Sequence, residues 1–219
     1  KPMRDRRQFL KILSSAMLAP MALSNVKLWG DTKQSGPKPS RIPIAFSTLG
    51  CPDWSWQKIL DFASQNGFAA IELRGLERNL DLPSHPIFAA DRIEQTKHEI
   101  AASKLKIACV SSSAQMYVED AAKRAKELAD ARRFIDLAQT LGAPCVRVFG
   151  GKAESDKSPV PDADTKARVA AGLRELGTYA GPKGVTVIIE SHDHFTSSAT
   201  LKDVLEAANS KYVGLLWDA

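Results

Sequence analysis

The segment Val185-Thr186-Val187-Ile188-Ile189-Glu190 is a nearly unbroken apolar run that ends abruptly in a carboxylate. Such a run, with little alternation of apolar and polar residues, is typical of a strand that is covered on both faces in a parallel sheet. Enzymes built on parallel sheets place their active sites at the carboxyl ends of the strands. We therefore predict a buried strand over 185–190 and a functional role for Glu190 at its end.

Further short apolar runs lie on both sides of this strand, and longer amphipathic segments separate them. The runs that we predict to be strands are 42–47, 69–73, 106–111, 145–149 and 212–217. The segments with helical periodicity are 54–66, 91–104, 119–141, 164–180 and 199–209. This regular alternation predicts an α/β protein in which crossover helices connect the strands of a parallel sheet.

Two architectures fit this pattern, a doubly wound open sheet and a closed (β/α)8 TIM barrel. No G-x-G-x-x-G motif follows the first strand, and Gly150-Gly151-Lys152 lacks the spacing of a phosphate-binding loop. These observations favour the barrel, which has eight strands and typically about 250 residues. We therefore predict that residues 41–219 form about six of the eight strand–helix units of a TIM barrel, and we expect a C-terminal truncation.

The first 40 residues differ in composition from the rest and are predicted to be an export signal followed by a linker. Arg6-Arg7-Gln8-Phe9-Leu10-Lys11 precedes an apolar run over 12–23, which is too short to span a bilayer comfortably. This arrangement resembles a twin-arginine (Tat) signal, from which it departs at Asp5. We expect export to the periplasm or another extracytoplasmic space, with no stable membrane span after processing. An ordinary amphipathic helix is the alternative.

Composition argues against two classes of function. Residues 1–40 hold eight Lys or Arg residues and two Asp residues, a net charge of +6, whereas the whole chain carries +5. The remaining residues therefore carry −1, which gives no electrostatic basis for binding nucleic acid. No cysteines show C-x-x-C spacing, so we expect buried apolar thiols rather than a thiolate metal site or a redox pair. The cysteines are Cys51, Cys109 and Cys145.

A second carboxylate ends the strand next to the one that ends at Glu190. Asp218 follows the strand over 212–217, so we expect both carboxylates at one rim of the barrel. Two adjacent oxygen ligands suit a hard or borderline divalent cation such as Mn²⁺ or Mg²⁺. His192 has the same strand parity as Glu190 and is a further candidate site residue. For Asp218, the alternative role is a cap on a following helix.

Glu72 is a carboxylate within the predicted strand over 69–73. Because side chains alternate along a strand, it lies on the face opposite Ile71 and Leu73. Burying a carboxylate without a partner is costly. We therefore predict that Glu72 either belongs to the functional site or forms a structural ion pair, for which Arg147 on the fourth strand is the candidate partner.

Three segments resemble the xylose-isomerase-like TIM-barrel family. They are Gly67-Phe68-Ala69-Ala70-Ile71-Glu72-Leu73, Val185-Thr186-Val187-Ile188-Ile189-Glu190-Ser191-His192 and Val213-Gly214-Leu215-Leu216-Trp217-Asp218. The resemblance implies one divalent metal ion, Mn²⁺ or Mg²⁺ with Zn²⁺ or Co²⁺ as alternatives, held by a Glu, an Asp, a His and a second Glu. Glu190 and Asp218 match the first two of these ligands, and the other two are expected beyond Ala219. The sequence does not decide between a monomer and a homo-oligomer.

The same family includes DNA-repair enzymes of the endonuclease IV type, which hold three zinc ions and need histidines on strands two and three. This sequence has Glu72 on its second strand and Ser111-Ser112-Ser113 after its third. His85 and His98 fall in a loop and a helix instead. Together with the charge of the body, these positions argue against a nuclease.

The resemblance implies a small sugar or polyol substrate and proton abstraction next to a carbonyl group, with the metal ion stabilising the resulting enediolate. Glu190 is then both a metal ligand and the catalytic base. Glu72 and His192 are expected to bind substrate hydroxyl groups, and Arg74 and Lys152 are either further substrate contacts or solvated surface residues. We predict a sugar isomerase or epimerase that is inactive as this fragment alone. A lyase or dehydratase of keto-sugars or keto-glycosides and a non-catalytic sugar-binding barrel are the alternatives.

Overall fold

The computed structural model of the chain describes residues 42–151 and 160–218. The export signal and linker predicted for residues 1–40 lie outside the described residues, as does Lys152. The helices within the described ranges are too short or too polar for any of them to cross a membrane.

A six-stranded parallel sheet forms the centre of the fold, and each strand pairs with the next strand of the chain. The strands are β1 (Ala45–Ser47), β2 (Ala70–Leu73), β3 (Lys106–Gln115), β4 (Cys145–Phe149), β5 (Thr186–Glu190) and β6 (Val213–Leu216). Parallel strands in sequential order are the arrangement of a (β/α)8 barrel, whereas a doubly wound sheet reverses its order at a switch point. The fold is therefore a partial (β/α)8 barrel, as the sequence predicts.

Helices connect the strands, and local sequence sets their ends. Within the described residues they are α1 (Trp56–Gln65), α2 (Ile93–Ala102), α3 (Ala121–Leu141), α4 (Ala163–Ala180) and α5 (Ser198–Ala208). Asp120 and Asp162 cap α3 and α4, because each carboxylate accepts a hydrogen bond from a backbone N–H of the first turn. Gly142 ends α3 with a φ of +69°, a left-handed conformation that glycine adopts without a steric penalty.

The two faces of the sheet differ chemically, because successive side chains of a strand point to opposite faces. Ile71, Leu73, Val187 and Ile189 lie on the outer face and join residues of the surrounding helices in one hydrophobic core. The buried residue Ile188 has the opposite parity and lies outside that core cluster. We call this second face of the sheet the inner face, and it carries the polar residues described below.

The observed strands differ from the predicted ones mainly at β1 and β3. Residues 42–44 precede β1 rather than belonging to it, and Ile42 and Ile44 are exposed. Strand β3 continues four residues beyond the predicted end at Ser111, as far as Gln115. The serines of this stretch have hydrogen-bond partners within the sheet region: the Ser112 hydroxyl donates to the Arg147 backbone oxygen on β4, and the Ser113 hydroxyl accepts from Arg74, which follows β2. Short 3₁₀ helices, among them Asp193–Phe195, are additions that periodicity did not predict.

Candidate active site

The register of the sheet gathers polar residues of four adjacent strands on the inner face. Residues paired across parallel strands point to the same side of a sheet, and so do residues two apart on one strand. The paired positions are Glu72 with Cys109, Ser111 with Arg147, and Phe149 with Glu190. Glu72, Arg147 and Glu190 therefore share one surface near the carboxyl ends of their strands, where barrel enzymes place their chemistry.

Glu190 is the last residue of β5, and its side chain is largely buried, with the residue 8% exposed. One of its oxygens, Oε2, lies 2.8 Å from Nε of Arg147 on the neighbouring strand. Burial raises the pKa of the Glu190 carboxyl group, and the charge of Arg147 opposes this rise. The two residues thus form a buried ion pair at the position for which the sequence predicts a site residue.

Arg147 is only 3% exposed and is held in place by several contacts. Its Nη1 donates to the backbone oxygen of Ser112 at 2.6 Å, and the Ser112 hydroxyl donates to the backbone oxygen of Arg147 at 2.8 Å. The guanidinium carbon lies 4.0 Å from the centre of the Phe149 ring. Burial, and next the positive charge of Arg74, lower the pKa of Arg147 to about 10. Arg147 therefore presents a fixed positive charge to Glu190.

Glu72 has a different partner from the one that the sequence suggests. The Ser111 hydroxyl donates a hydrogen bond of 2.5 Å to Glu72 Oε1, whereas Arg147 pairs with Glu190. The hypothesis of a Glu72–Arg147 ion pair is therefore wrong. Strand β3 lies between β2 and β4, so Ser111 is nearer to Glu72, and Glu190 on the adjacent strand β5 is nearer to Arg147. Glu72 is half-buried on the inner face, so it is available to contact a bound molecule.

His192 and His194 follow β5 but do not continue it. His192 Nδ1 lies 2.9 Å from Asp193 Oδ1, and its ring packs edge-on against Phe149 at a centroid distance of 5.2 Å. About half of the His192 side chain is exposed. His194 lies within the short 3₁₀ helix Asp193–Phe195. His192 thus adjoins the Arg147–Glu190 pair through Phe149.

Asp218 is tied to the end of β5 through its backbone. Its N–H donates to the Ser191 hydroxyl at 2.7 Å, and that hydroxyl donates to the Asp218 backbone oxygen at 3.1 Å. The side chain is close enough to Glu190 for its negative charge to contribute to the raised pKa of Glu190. Glu190 and Asp218 thus follow one another at the ends of the neighbouring strands β5 and β6, and their role as metal ligands stays a prediction.

The carboxylates of Glu190 and Asp218 supply only part of the ligands that a divalent cation requires. Hard cations take about six oxygen or nitrogen ligands, and carboxylates are among the ligands that they prefer. Within residues 42–151 and 160–218, no group of three or more His, Cys, Asp or Glu side chains is placed to hold a metal ion. Glu190 and Asp218 fit two positions of such a site by their chemistry, and each carries a charge that the ion would compensate.

Two further residues, Arg74 and Ser113, lie at this rim and are not predicted as site residues by the sequence. Arg74 follows β2, and its Nη2 donates to the hydroxyl of Ser113 at 3.2 Å. The sequence does not decide between a substrate contact and a surface residue for Arg74, and it indicates Ser113 only as part of the polar end of a strand. The parity of Glu72 and Arg74 is the one sequence feature that relates Arg74 to the inner face.

A family model described as xylose isomerase-like TIM barrel matches residues 60–219 of the chain. No curated protein sequence matches the chain significantly. The match covers β2 to β6, and so includes every strand that carries a residue of the candidate site.

Several solved structures share the fold. One is a xylose isomerase-like TIM barrel protein from Mycobacterium smegmatis in complex with magnesium, with a TM-score of 0.63, 23% identity, and coverage of 79% of this chain and 63% of that chain. An L-ribulose 3-epimerase has a TM-score of 0.65, 22% identity, and coverage of 80% and 60%. A probable 3-DHS dehydratase from Bacillus anthracis has a TM-score of 0.63, 17% identity, and coverage of 81% and 63%. The chain thus spans less than two thirds of the length of each of these proteins.

Proposed function

Because the chain belongs to the xylose isomerase-like TIM barrel family, we propose that the full-length protein is a metal-dependent sugar isomerase or epimerase. The reaction would begin with removal of a proton from the carbon next to a carbonyl group. The observation that carries the proposal is Glu190, a largely buried carboxylate at the end of β5 with one oxygen held by Arg147. L-ribulose 3-epimerase, which shares the fold, gives the proposal its reaction class.

Glu190 serves as the base in this proposal and also as a metal ligand. A buried carboxylate is poorly solvated, which favours its acceptance of a proton from carbon. Oε2 of Glu190 is in ion-pair contact with Arg147 Nε, and the second carboxylate oxygen is the one assigned to other contacts. When the C–H bond breaks, its electron pair moves to the carbonyl oxygen, and the product forms when a proton returns to carbon.

Binding and orientation of the sugar are assigned to the neighbouring residues. Glu72, whose Oε1 accepts a hydrogen bond from Ser111, can accept further hydrogen bonds from substrate hydroxyl groups. His192, half exposed beside Phe149, is placed for the same role. These groups would hold the reacting carbon close to Glu190. Such positioning of reacting groups accounts for much of the rate enhancement of enzymes.

The proposed cofactor is one divalent metal ion, with Mn²⁺ or Mg²⁺ preferred on the chemistry of the ligands. Glu190 and Asp218 would supply two of its oxygen ligands. When bound, the ion would polarise the carbonyl oxygen and compensate negative charge that develops there. The similar structure from Mycobacterium smegmatis is in complex with magnesium, which supports a divalent ion in this fold.

A lyase or dehydratase reaction is the second candidate. The probable 3-DHS dehydratase shares the fold, and β-elimination next to a carbonyl group also begins with proton abstraction. The same residues would therefore serve both reactions up to the first step. They diverge afterwards, since an epimerase returns the proton and a lyase expels a leaving group.

Proton exchange with solvent tests the proposal directly. The full-length protein would be incubated in D₂O with Mg²⁺ and a panel of ketoses and keto-glycosides, and the products would be followed by NMR. We expect deuterium at the carbon next to the carbonyl group, together with an epimer or isomer. An eliminated product would assign the lyase reaction instead.

Two variants complete the proton-exchange experiment. Glu190→Gln should abolish exchange, whereas the control Glu206→Gln, at an exposed position of α5, should retain it. Binding of a sugar without exchange in the wild type would indicate a non-catalytic sugar-binding barrel and would overturn the proposed reaction.

A further inference from the structure

Among the residues that the structure describes, the guanidinium group of Arg74 is a positive charge at the rim of the candidate active site that has no direct counter-charge. Within the described residues, no carboxylate oxygen lies within 4.0 Å of its nitrogens. Its Nη1 is buried and has no hydrogen-bond partner there. A buried donor without a partner carries a desolvation penalty, and the penalty is larger for a charged group. The position of Arg74 therefore calls for an additional acceptor.

The backbone on either side of this side chain is held rigidly. The Thr48 hydroxyl oxygen accepts hydrogen bonds from the backbone N–H groups of Arg74, at 3.0 Å, and Gly75, at 3.2 Å. The same hydroxyl donates to the Gly75 backbone oxygen at 2.6 Å, and Thr48 is almost completely buried. These contacts fix the backbone from which the side chain starts, and the hydrogen bond from Nη2 to the Ser113 hydroxyl orients the guanidinium group at its other end.

Ser113 adds a second donor beside the first. Its hydroxyl oxygen accepts from Arg74 Nη2 at 3.2 Å, so its own proton can be donated to another group. Ser113 is exposed, whereas the two preceding serines are buried and engaged with Glu72 and with the Arg147 backbone. Arg74 Nη1 and the Ser113 hydroxyl thus offer two donors and one positive charge, which is the complement of an oxyanion.

The surrounding charges support this assignment. Burial lowers the pKa of Arg74, and the negative charges of Glu190 and Glu72 oppose this effect only in part. The Glu190 carboxylate is already paired with Arg147, and the Glu72 carboxylate with the Ser111 hydroxyl. Neither carboxylate therefore supplies the acceptor that Nη1 lacks. An anionic group on a bound molecule would supply it.

We propose that Arg74 and Ser113 form a subsite that binds a negatively charged oxygen group of the substrate, a carboxylate or a phosphate. This inference rests on the proposed function, since it places the rest of the substrate against Glu190. It narrows the substrate class from sugars in general to acidic or phosphorylated sugars. Arg74 acts here as a specificity-determining residue and takes no part in the proton transfer.

Calorimetric titration of the full-length protein in the presence of Mg²⁺ tests the proposal. The probes are D-glucose, D-glucuronate and D-glucose 6-phosphate at equal ionic strength. We expect one of the two anionic sugars to bind about 10- to 100-fold more tightly than glucose, the range expected for a hydrogen bond to a charged group. Preference for glucuronate would identify a carboxylate subsite, and preference for glucose 6-phosphate a phosphate subsite. Equal affinity for all three, or no binding of the anionic sugars, would overturn the inference.

Variants show whether any preference depends on this pair of residues. Arg74→Met should remove the preference for the anionic sugar, and Arg74→Lys should keep only part of it because lysine lacks the planar fork of donors. Ser113→Ala should weaken the preference as well, and because Ser113 is exposed we expect the variant to fold. The matched control is Arg78→Met, since Arg78 is an exposed arginine that pairs with Asp53. A preference that survives in Arg74→Met and in Ser113→Ala would overturn the subsite.

The binding measurement separates this inference from the proposed reaction. The titration requires no turnover, so its result does not depend on whether the protein exchanges protons in the D₂O experiment. If Glu190→Gln retains exchange while Arg74→Met loses the anion preference, the proposed reaction fails and the subsite stands. If exchange behaves as proposed but the preference is independent of Arg74, only the subsite fails.

Discussion

Arg147 Nε lies 2.8 Å from Glu190 Oε2, across the adjacent strands β4 and β5. Both residues are less than one tenth exposed, so the pair is isolated from the screening effect of water. Removing one partner of a buried ion pair leaves an uncompensated charge, which is more damaging than removing both partners. The pair therefore links the stability of the sheet to the orientation of the proposed base.

The first prediction is that Arg147→Met destabilises the protein by about 3–5 kcal/mol, the usual cost of breaking a buried pair. The free energy of unfolding would be measured by denaturant titration. The control is Arg132→Met, which removes an exposed ion pair with Glu175 and should cost less than about 1 kcal/mol. The double variant Arg147→Met with Glu190→Met should recover part of the loss. If Arg147→Met and Arg132→Met lowered the free energy of unfolding equally, a structural role for the Arg147–Glu190 pair would be contradicted.

The second prediction concerns the metal ion. The full-length protein should bind one Mn²⁺- or Mg²⁺-like ion, because Glu190 and Asp218 supply adjacent negative oxygens whose repulsion a cation relieves. Glu190→Gln should abolish binding in a calorimetric titration with Mn²⁺, and Asp218→Asn should weaken it. Glu206→Gln, an exposed change on α5, is the control and should bind as the wild type does. Unchanged affinity in Glu190→Gln would remove this residue from the metal site.

The third prediction separates a functional from a structural role for Glu72. Glu72→Gln should reduce turnover while changing the melting temperature little, since the amide can still accept the hydrogen bond from Ser111. Ser111→Ala is the companion variant, because it removes the same hydrogen bond and keeps the carboxylate. A large loss of stability in Glu72→Gln with turnover intact would indicate a structural residue instead.

The fourth prediction concerns the thiol of Cys109, whose pKa burial raises to about 12. The thiol should stay protonated at pH 8 and resist alkylation by iodoacetamide in the native protein, as measured by mass spectrometry of its peptide. Partly buried Cys145 is the internal comparison and should react first. Since the unfolded thiol has a pKa near 9.0, the folded state binds this proton more tightly. Its contribution to stability should therefore fall as the pH rises from about 9 to 12, and Cys109→Ala should lessen that fall.

The fifth prediction concerns residues 1–40, for which we propose export by a twin-arginine signal. A reporter protein fused to these residues should leave the cytoplasm. Replacement of Arg6 and Arg7 by lysine should block export, because the paired arginines are the defining feature of the signal. Replacing Lys27 and Lys33 by arginine is the control at positions outside the motif. Export that persists in the double arginine variant would refute this signal type.

The sequence by itself determined the parallel sheet and the carboxylates at its rim. Apolar runs and helical periodicity are local patterns, so they predicted the order of strands and helices and the end of β5 at Glu190. Alternation within a strand is equally local, and it placed Glu72 on the face opposite Ile71 and Leu73. These features depend on near neighbours in the chain, which one sequence contains in full.

Only the tertiary structure decided which of these side chains meet. Strand β3 lies between β2 and β4, so Glu72 bonds to Ser111 and Arg147 pairs with Glu190 on β5. No local pattern in the sequence specifies such a pairing between strands. Contacts between strands also allow β3 to continue beyond Ser111, where the sequence predicts its end, as far as Gln115. They place Ser113 beside Arg74. Whether a polar side chain continues a strand or belongs to a site depends on the residue that it contacts. That partner lies about 40 residues away along the chain, and folding alone brings the two together.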